Sequence, residues 1–285
     1  MFLRPTLKLS AAILFYRCLR TWVPQAQFFH CPFLWYHGLS NDKAKMADVS
    51  AENIKLLVFD LAGTTVDDSV EGVPLVAVAM KETFEKHGYD IDAEIVNKYR
   101  GMEKREAIQC ILNDLHKQSD TTPNNDVEVI FKDFKYFLNK HLSSIRNEIP
   151  GTTDVFRKLK SAGMKIAVGS GFPHSVVEAI VSTLNWTELV DYLSSAEKAG
   201  HGRPHPAMIL SAMKFLGISD PRSVVKVGDT RIDVQEGKNA GCWTVSVLTG
   251  TQSREFIKES NPDFIINSIA DLPDIFPNGK FQFQS

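Results

Sequence analysis

Asp60 closes the apolar run Ile-Lys-Leu-Leu-Val-Phe and opens the segment Leu61-Ala62-Gly63-Thr64-Thr65. A carboxylate so placed can attack a phosphoryl group and form an aspartyl-phosphate, which splits one difficult displacement into two easier ones. Nucleophile and phosphoryl group are both anionic, so a cation is needed between them. Magnesium prefers oxygen ligands and few carboxylates, and Asp60, the Ala62 carbonyl, Asp229 and Asp233 can supply them. Ser170, between Gly169 and Gly171, can hold phosphoryl oxygens with its hydroxyl, helped by the backbone N–H of Gly171, and Thr64 can do so from the first loop. Arg203, in Gly202-Arg203-Pro204, can balance the charge of the transition state.

Each residue also has an ordinary reading. Ser170 between glycines can be a tight turn, Arg203 a solvated loop residue, and Asp229 and Asp233 caps of the helix that follows. Their occurrence in chain order after successive apolar strands favours the chemical reading. Other motifs fail on spacing. Gly169-Ser170-Gly171 is followed by His174 where a dinucleotide fingerprint needs its third glycine. No Gly-x-Ser-x-Gly elbow is present, and the eight histidines form no His-Glu-x-x-His motif.

The elements that must carry these groups read as follows. Residues 54–59 form a buried strand, and a helix follows with Leu75, Val78 and Ala79 on one face. Residues 92–99, 103–115 and 127–142 read as three more helices. The last carries Val127, Ile130, Phe131, Phe134, Phe137 and Leu138 at helical spacing, and a polar loop, 118–126, precedes it. From Pro150 onward strands at 165–169, 192–194, 223–227, 243–247 and 263–266 alternate with helices at 173–184, 206–216 and 232–239. This pattern predicts an α/β fold: a doubly wound parallel sheet with an all-helical cap inserted after its first strand. The expected domains are a leader over 1–50, a core over 51–71 and 150–275, a cap over 72–149 and a tail over 276–285. Ligands of such sheets bind beyond the carboxyl ends of the strands, where Asp60, Ser170 and Asp229 fall.

The chain has 285 residues, 44% apolar and 23% charged, which is ordinary for a globular protein. A net charge of −2 gives no pull toward nucleic acid. The partner expected is a small phosphonate or phosphate, with no stable membrane span and with room for a homodimer. Cys18, Cys31, Cys110 and Cys242 are too scattered for a disulfide framework, so reduced thiols inside a cell are expected. In the leader Arg4, Lys8, Arg17 and Arg20 precede the first acid, Asp42. That composition resembles a mitochondrial transit peptide; the alternative is a cytoplasmic chain that starts at Met46.

Four stretches, FDLAGTTVDD, RGMEKREAI, GHGRPHPAM and VKVGDTRIDVQEGKNAGCWTV, resemble the haloacid dehalogenase superfamily and, within it, the phosphonoacetaldehyde hydrolase (phosphonatase) branch. The resemblance covers about 54 to 251 and implies a magnesium-dependent hydrolase. Phosphatases of the superfamily place a second Asp two residues after the nucleophile, to protonate the ester oxygen; here that position is Ala62. Cleaving a carbon–phosphorus bond has no such oxygen to protonate and needs an electron sink beside the departing carbon. The branch supplies one as an imine on a cap lysine, which Lys104 matches, with Arg100 or Arg105 available to depress its pKa and Glu103 to oppose them. Arg203 matches the branch's arginine where most members have lysine. Departures are Ala107 in place of a proton-transferring histidine, Arg100 in place of a methionine, and no cysteine in the loop after the nucleophile. Arg100 suits a substrate carrying an extra carboxylate. Three functions follow: a carbon–phosphorus hydrolase acting on a 2-oxoalkylphosphonate, a phosphomonoesterase of the phosphoglycolate phosphatase kind, and a non-catalytic phospho-ligand module.

Overall fold

The computed structural model describes residues 54–117 and 127–275. The expected leader, the loop 118–126 and the tail 276–285 lie outside the described residues. In chain order the elements are β1 (Leu56–Phe59), β2 (Val66–Asp67), β3 (Ser69–Val70), β4 (Val73–Pro74), α1 (Leu75–Lys86), α2 (Ala93–Lys98), α3 (Lys104–Lys117), α4 (Val127–Leu142) and β5 (Asn147–Glu148). They continue with α5 (Thr152–Ser161), β6 (Lys165–Ser170), α6 (His174–Thr183), β7 (Tyr192–Ser195), α7 (Ala196–Ala199), α8 (Ala207–Phe215), β8 (Val224–Gly228) and α9 (Arg231–Ala240). Last come β9 (Trp243–Val247), α10 (Arg254–Lys258), β10 (Phe264–Ile266) and α11 (Leu272–Ile275).

Six strands form one parallel sheet in the order β10-β9-β8-β1-β6-β7. β1 is central because all four of its residues are buried, as a strand covered on both faces requires. Leu56 and Val58 face a cluster with Ile209, Ala212 and Met213 of α8, while Leu57 and Phe59 face the cluster that holds α5 and α6. The fold is the α/β, Rossmann-like core expected. Since β6 and β8 flank β1 in parallel, Ser170, Asp60 and Asp229 emerge side by side from one edge of the sheet.

Helices α1 to α4 pack chiefly on one another, α1 against α4 and α2, and α3 against α4. In α4 the buried stripe is Ile130, Phe131, Phe134 and Leu138, each worth about 1.5–3 kcal/mol of burial. Asp92 caps α2 by accepting from the Ile95 amide at 2.9 Å. The chain leaves and re-enters the α/β layer at one place, where β2 pairs antiparallel with β5 and the Ile149 amide donates to Thr65 O at 2.9 Å.

Two features add to the expected pattern. A short hairpin of β3 and β4 leads from the core into the helical cap. Helix α5 precedes β6, with Val155, Phe156 and Leu159 at helical spacing and buried. Among the described residues no helix is long and apolar enough to cross a membrane.

Candidate active site

Asp60 leaves β1 with its amide bonded to Val227 O at 3.0 Å, so the chain is still held in the sheet at the residue that turns out of it. The turn needs Gly63 at φ +81°, where a Cβ would stand 2.9 Å from Asp229 Oδ2. Thr65 Oγ1 donates to the backbone carbonyl of Asp60 at 2.8 Å and Thr64 Oγ1 to Asp229 Oδ1 at 3.0 Å, so the first loop braces the backbone at Asp60 and the carboxylate of Asp229. Asp229 ends β8. Thr230 and Asp233 then form a reciprocal capping box that starts α9.

Arg203 is 1% exposed and meets acceptors on three elements. Its Nη2 donates to Asp60 Oδ1 at 2.8 Å and to Gly169 O, and its Nε donates to Glu236 Oε2 at 3.0 Å. Its Nη1 lies 3.2 Å from Asp233 Oδ1. Burial works against the cation, but Asp233, Asp60 and Glu236 outweigh it and hold the guanidinium protonated well above its usual range.

The loop between α2 and α3 lies directly on the strand ends. A Cβ on Gly101 (φ +87°) would stand 2.8 Å from Thr230 Oγ1, and one on Gly171 would stand 2.9 Å from Met102 O. This contact buries the first residue of α3. Lys104 is 5% exposed and its Nζ donates to Met102 O at 3.0 Å. Burial lowers its pKa from the usual 10.5 to about 8; Arg203 and Arg100 push the same way, while Asp60 and Glu103 oppose them. The second cation is thus Arg203 rather than Arg105, which pairs with Glu128 at 2.8 Å on the outside of the helices.

Arg100 does not point to solvent. Its side chain is 9% exposed, its Nη2 donates to Asp68 Oδ1 at 3.2 Å, and its Nε lies 3.9 Å from Asp229 Oδ2. Burial pushes the Asp68 carboxyl up against the pull of Arg100.

Asp60, Asp229 and Asp233 each offer an oxygen, all within 4.8 Å of one another. Asp229 Oδ2 is buried and, among the described residues, has no hydrogen-bond partner. Burial, with the charges of Asp60 and Asp233, pushes the Asp229 carboxyl up to about 8, although Arg100 and Thr64 pull it down. Crowded carboxylates with an orphaned oxygen are the donor set of a hard divalent cation.

Of the residues expected from sequence, Asp60, Ala62, Arg100, Lys104, Ser170, Gly171, Arg203 and Asp229 line one cavity, with Thr230, Phe172, Val76 and Gly101. Thr64 does not line it. Both of its donors are committed within the protein, the hydroxyl to Asp229 and the amide to Leu61 O at 3.1 Å, which makes it a brace rather than a phosphoryl ligand. Asp233 also stands behind the wall, with Oδ2 accepting from Thr230 and Oδ1 beside Arg203 and Lys226. Sequence reasoning missed Asp68, Thr230, Lys226 and Glu236. Lys226 did leave a signal, as the one charge in the fully buried strand Val-Val-Lys-Val-Gly.

The family model of haloacid dehalogenase-like hydrolases matches residues 54–241. The bifunctional phosphonoacetaldehyde hydrolase/aminoethylphosphonate transaminase of Clostridioides difficile is 30% identical over 264 residues, 81% of this chain but only 41% of that protein. Phosphonoacetaldehyde hydrolase of Bacillus cereus is 31% identical over 214 residues, 72% of this chain and 80% of the relative. Among solved structures, the phosphonoacetaldehyde hydrolase-like protein of Oleispira antarctica superposes with a TM-score of 0.70 at 23% identity, covering 84% of this chain and 95% of that one.

Proposed function

Because the chain belongs to the haloacid dehalogenase-like hydrolases and to their phosphonatase-like branch, we propose that it cleaves the carbon–phosphorus bond of a 2-oxoalkylphosphonate. The observation that carries this reading is a buried lysine, its pKa near 8, in the same cavity as Asp60, with Ala62 where an acid would be needed to cleave an ester.

Lys104 Nζ adds to the substrate carbonyl and water leaves, giving a protonated imine. Arg203 occupies Asp60 Oδ1, so Oδ2 is the attacking atom. As it bonds to phosphorus the carbon–phosphorus bond breaks, and its electron pair moves into the imine to give an enamine. The enamine carbon takes up a proton, and water releases the carbonyl product from Lys104. A second water hydrolyses the aspartyl-phosphate, so the sum is one water consumed for one phosphate and one ketone or aldehyde formed. Ser170 and the Gly171 amide bind phosphoryl oxygens throughout, and Arg203 offsets their charge. Magnesium held by Asp60, Asp229 and the Ala62 carbonyl, with Asp233 behind them, supplies positive charge between the two anions when bound.

The cavity is narrow and lined by Arg100, Lys104 and Arg203, which suits a small anionic molecule. Nucleic acid has no part in this reading and a homodimer is not required by it. Borohydride added with an oxo-phosphonate tests it. Inactivation with added mass at Lys104, lost in Lys104→Arg, is expected, and Asp60→Asn should abolish turnover in a folded protein. A Lys104→Arg variant that stays active, in an enzyme that hydrolyses simple phosphate esters, would replace this reading with the phosphomonoesterase one.

A further inference from the structure

Four buried charges behind the cavity close on themselves. Arg203 Nε donates to Glu236 Oε2 at 3.0 Å, and Lys226 Nζ lies 3.1 Å from that same oxygen. Lys226 Nζ is also 3.0 Å from Asp233 Oδ1, which lies 3.2 Å from Arg203 Nη1. The signs alternate around the ring and sum to zero, and each of the four side chains is 1–2% exposed. Asp233 and Glu236 share a face of α9, and Lys226 rises from β8 beneath them. The helix comes so close that a Cβ on Gly237 would stand 3.0 Å from Lys226 Cβ.

We infer that Lys226 and Glu236 are positioning residues that aim Arg203 at Asp60. A guanidinium is planar, so the Nε hydrogen bond to Glu236 and the Nη1 ion pair with Asp233 fix its orientation and leave Nη2 for Asp60 and Gly169 O. Lys226 supplies the balancing charge. Without it two carboxylates would face one guanidinium and draw it off the nucleophile. Stability does not account for the ring, since buried ion pairs are often no better than apolar packing. Glu236 Oε1, moreover, is buried with no hydrogen-bond partner among the described residues.

The inference rests on Asp60 as phosphoryl acceptor, so its test uses a probe of that residue alone. Trifluoroberyllate with magnesium mimics an aspartyl-phosphate, and its binding to the full chain is read by fluorine NMR. The double variant Lys226→Met/Glu236→Leu removes one charge of each sign. Its melting temperature should hold or rise, while trifluoroberyllate affinity falls about tenfold or more, as for loss of a preorganised donor. The Arg203 Nε–H signal should exchange slowly in the wild type, where it is buried on Glu236, and broaden in the variant. Should the double variant not fold, Glu236→Gln, which keeps an acceptor oxygen without the charge, is expected to weaken the probe in the same direction. Wild-type affinity in a folded variant overturns the positioning role and leaves Asp60 as acceptor. A wild type that never binds the probe overturns the reading of Asp60, and this inference with it.

Discussion

A Cβ on Gly171 would stand 3.3 Å from the Nζ of Lys104 and 2.9 Å from the Met102 carbonyl oxygen that accepts from that amine. The end of β6 and the loop that delivers the lysine are therefore in contact through a residue with no side chain. Gly171→Ala should leave the sheet intact, since the methyl presses on the loop rather than the core. It should displace Lys104 from the carbonyl it attacks, and misplacement of that order costs about 10- to 100-fold in turnover. Turnover and melting temperature measured together check this. Wild-type turnover would show that the loop yields without moving the amine.

The sheet and the position of Asp60 and Asp229 at its strand ends were legible because each rests on a local signal. The run Ile54 to Phe59 is apolar without alternation and stops at an acid, and Asp229 follows Val-Val-Lys-Val-Gly in the same way. Helix α4 was legible down to its ends, because four buried side chains recur on one stripe. What stayed hidden depends on pairing across the chain. β2 and β5 are two residues each and have no period to detect. Asp68 is one acid among several until Arg100, 32 positions on, is seen to meet it. Glu236 reads as a helix surface residue until α9 is laid on β8 and its carboxylate falls beside Arg203 and Lys226. Lys104 could be named only by resemblance, since nothing in its own neighbourhood says that it is buried.

Trapping at Lys104 should depend on pH in one direction. Only the free amine attacks a carbonyl, and with a pKa near 8 about a tenth of it is neutral at pH 7. The rate of borohydride-fixed imine formation should climb from pH 6 and level off above about 8, rather than near the usual lysine value of 10.5. A profile still rising above pH 9 would mean that the cavity does not depress this lysine.

Arg100 uses one donor on Asp68, and among the described residues its other N–H groups have no hydrogen-bond partner, although the side chain lines the cavity. A planar fork so placed suits a carboxylate on the substrate. Arg100→Met should lower the rate for carboxylated oxo-phosphonates relative to phosphonoacetaldehyde by roughly tenfold, as loss of a buried polar partner does. It should also destabilise by roughly 3 kcal/mol, because Asp68 is left buried and unpaired. Arg100→Met/Asp68→Asn should recover stability but not selectivity. Unchanged relative rates in that double variant would remove Arg100 from substrate selection.

Asp229 links the cation to stability. Its carboxyl is pushed up to about 8, chiefly by burial, so without a divalent ion the folded state holds a proton that the unfolded state releases near pH 4. The sign follows: the contribution to stability is full below pH 4 and is lost as pH rises toward 8. At pH 7 the metal-free protein should therefore gain stability from Asp229→Asn, which removes the cost of protonating a carboxyl crowded by Asp60 and Asp233. Magnesium should reverse the order. At about 100 times its dissociation constant it should stabilise the wild type by about 2.7 kcal/mol, and Asp229→Asn should lose most of that gain with one ligand gone. Melting curves at pH 7, with chelator and with magnesium, read both effects on one pair of proteins. If the two proteins shift equally with magnesium, the ion does not bind at Asp229, and the acidic cluster is not the metal site.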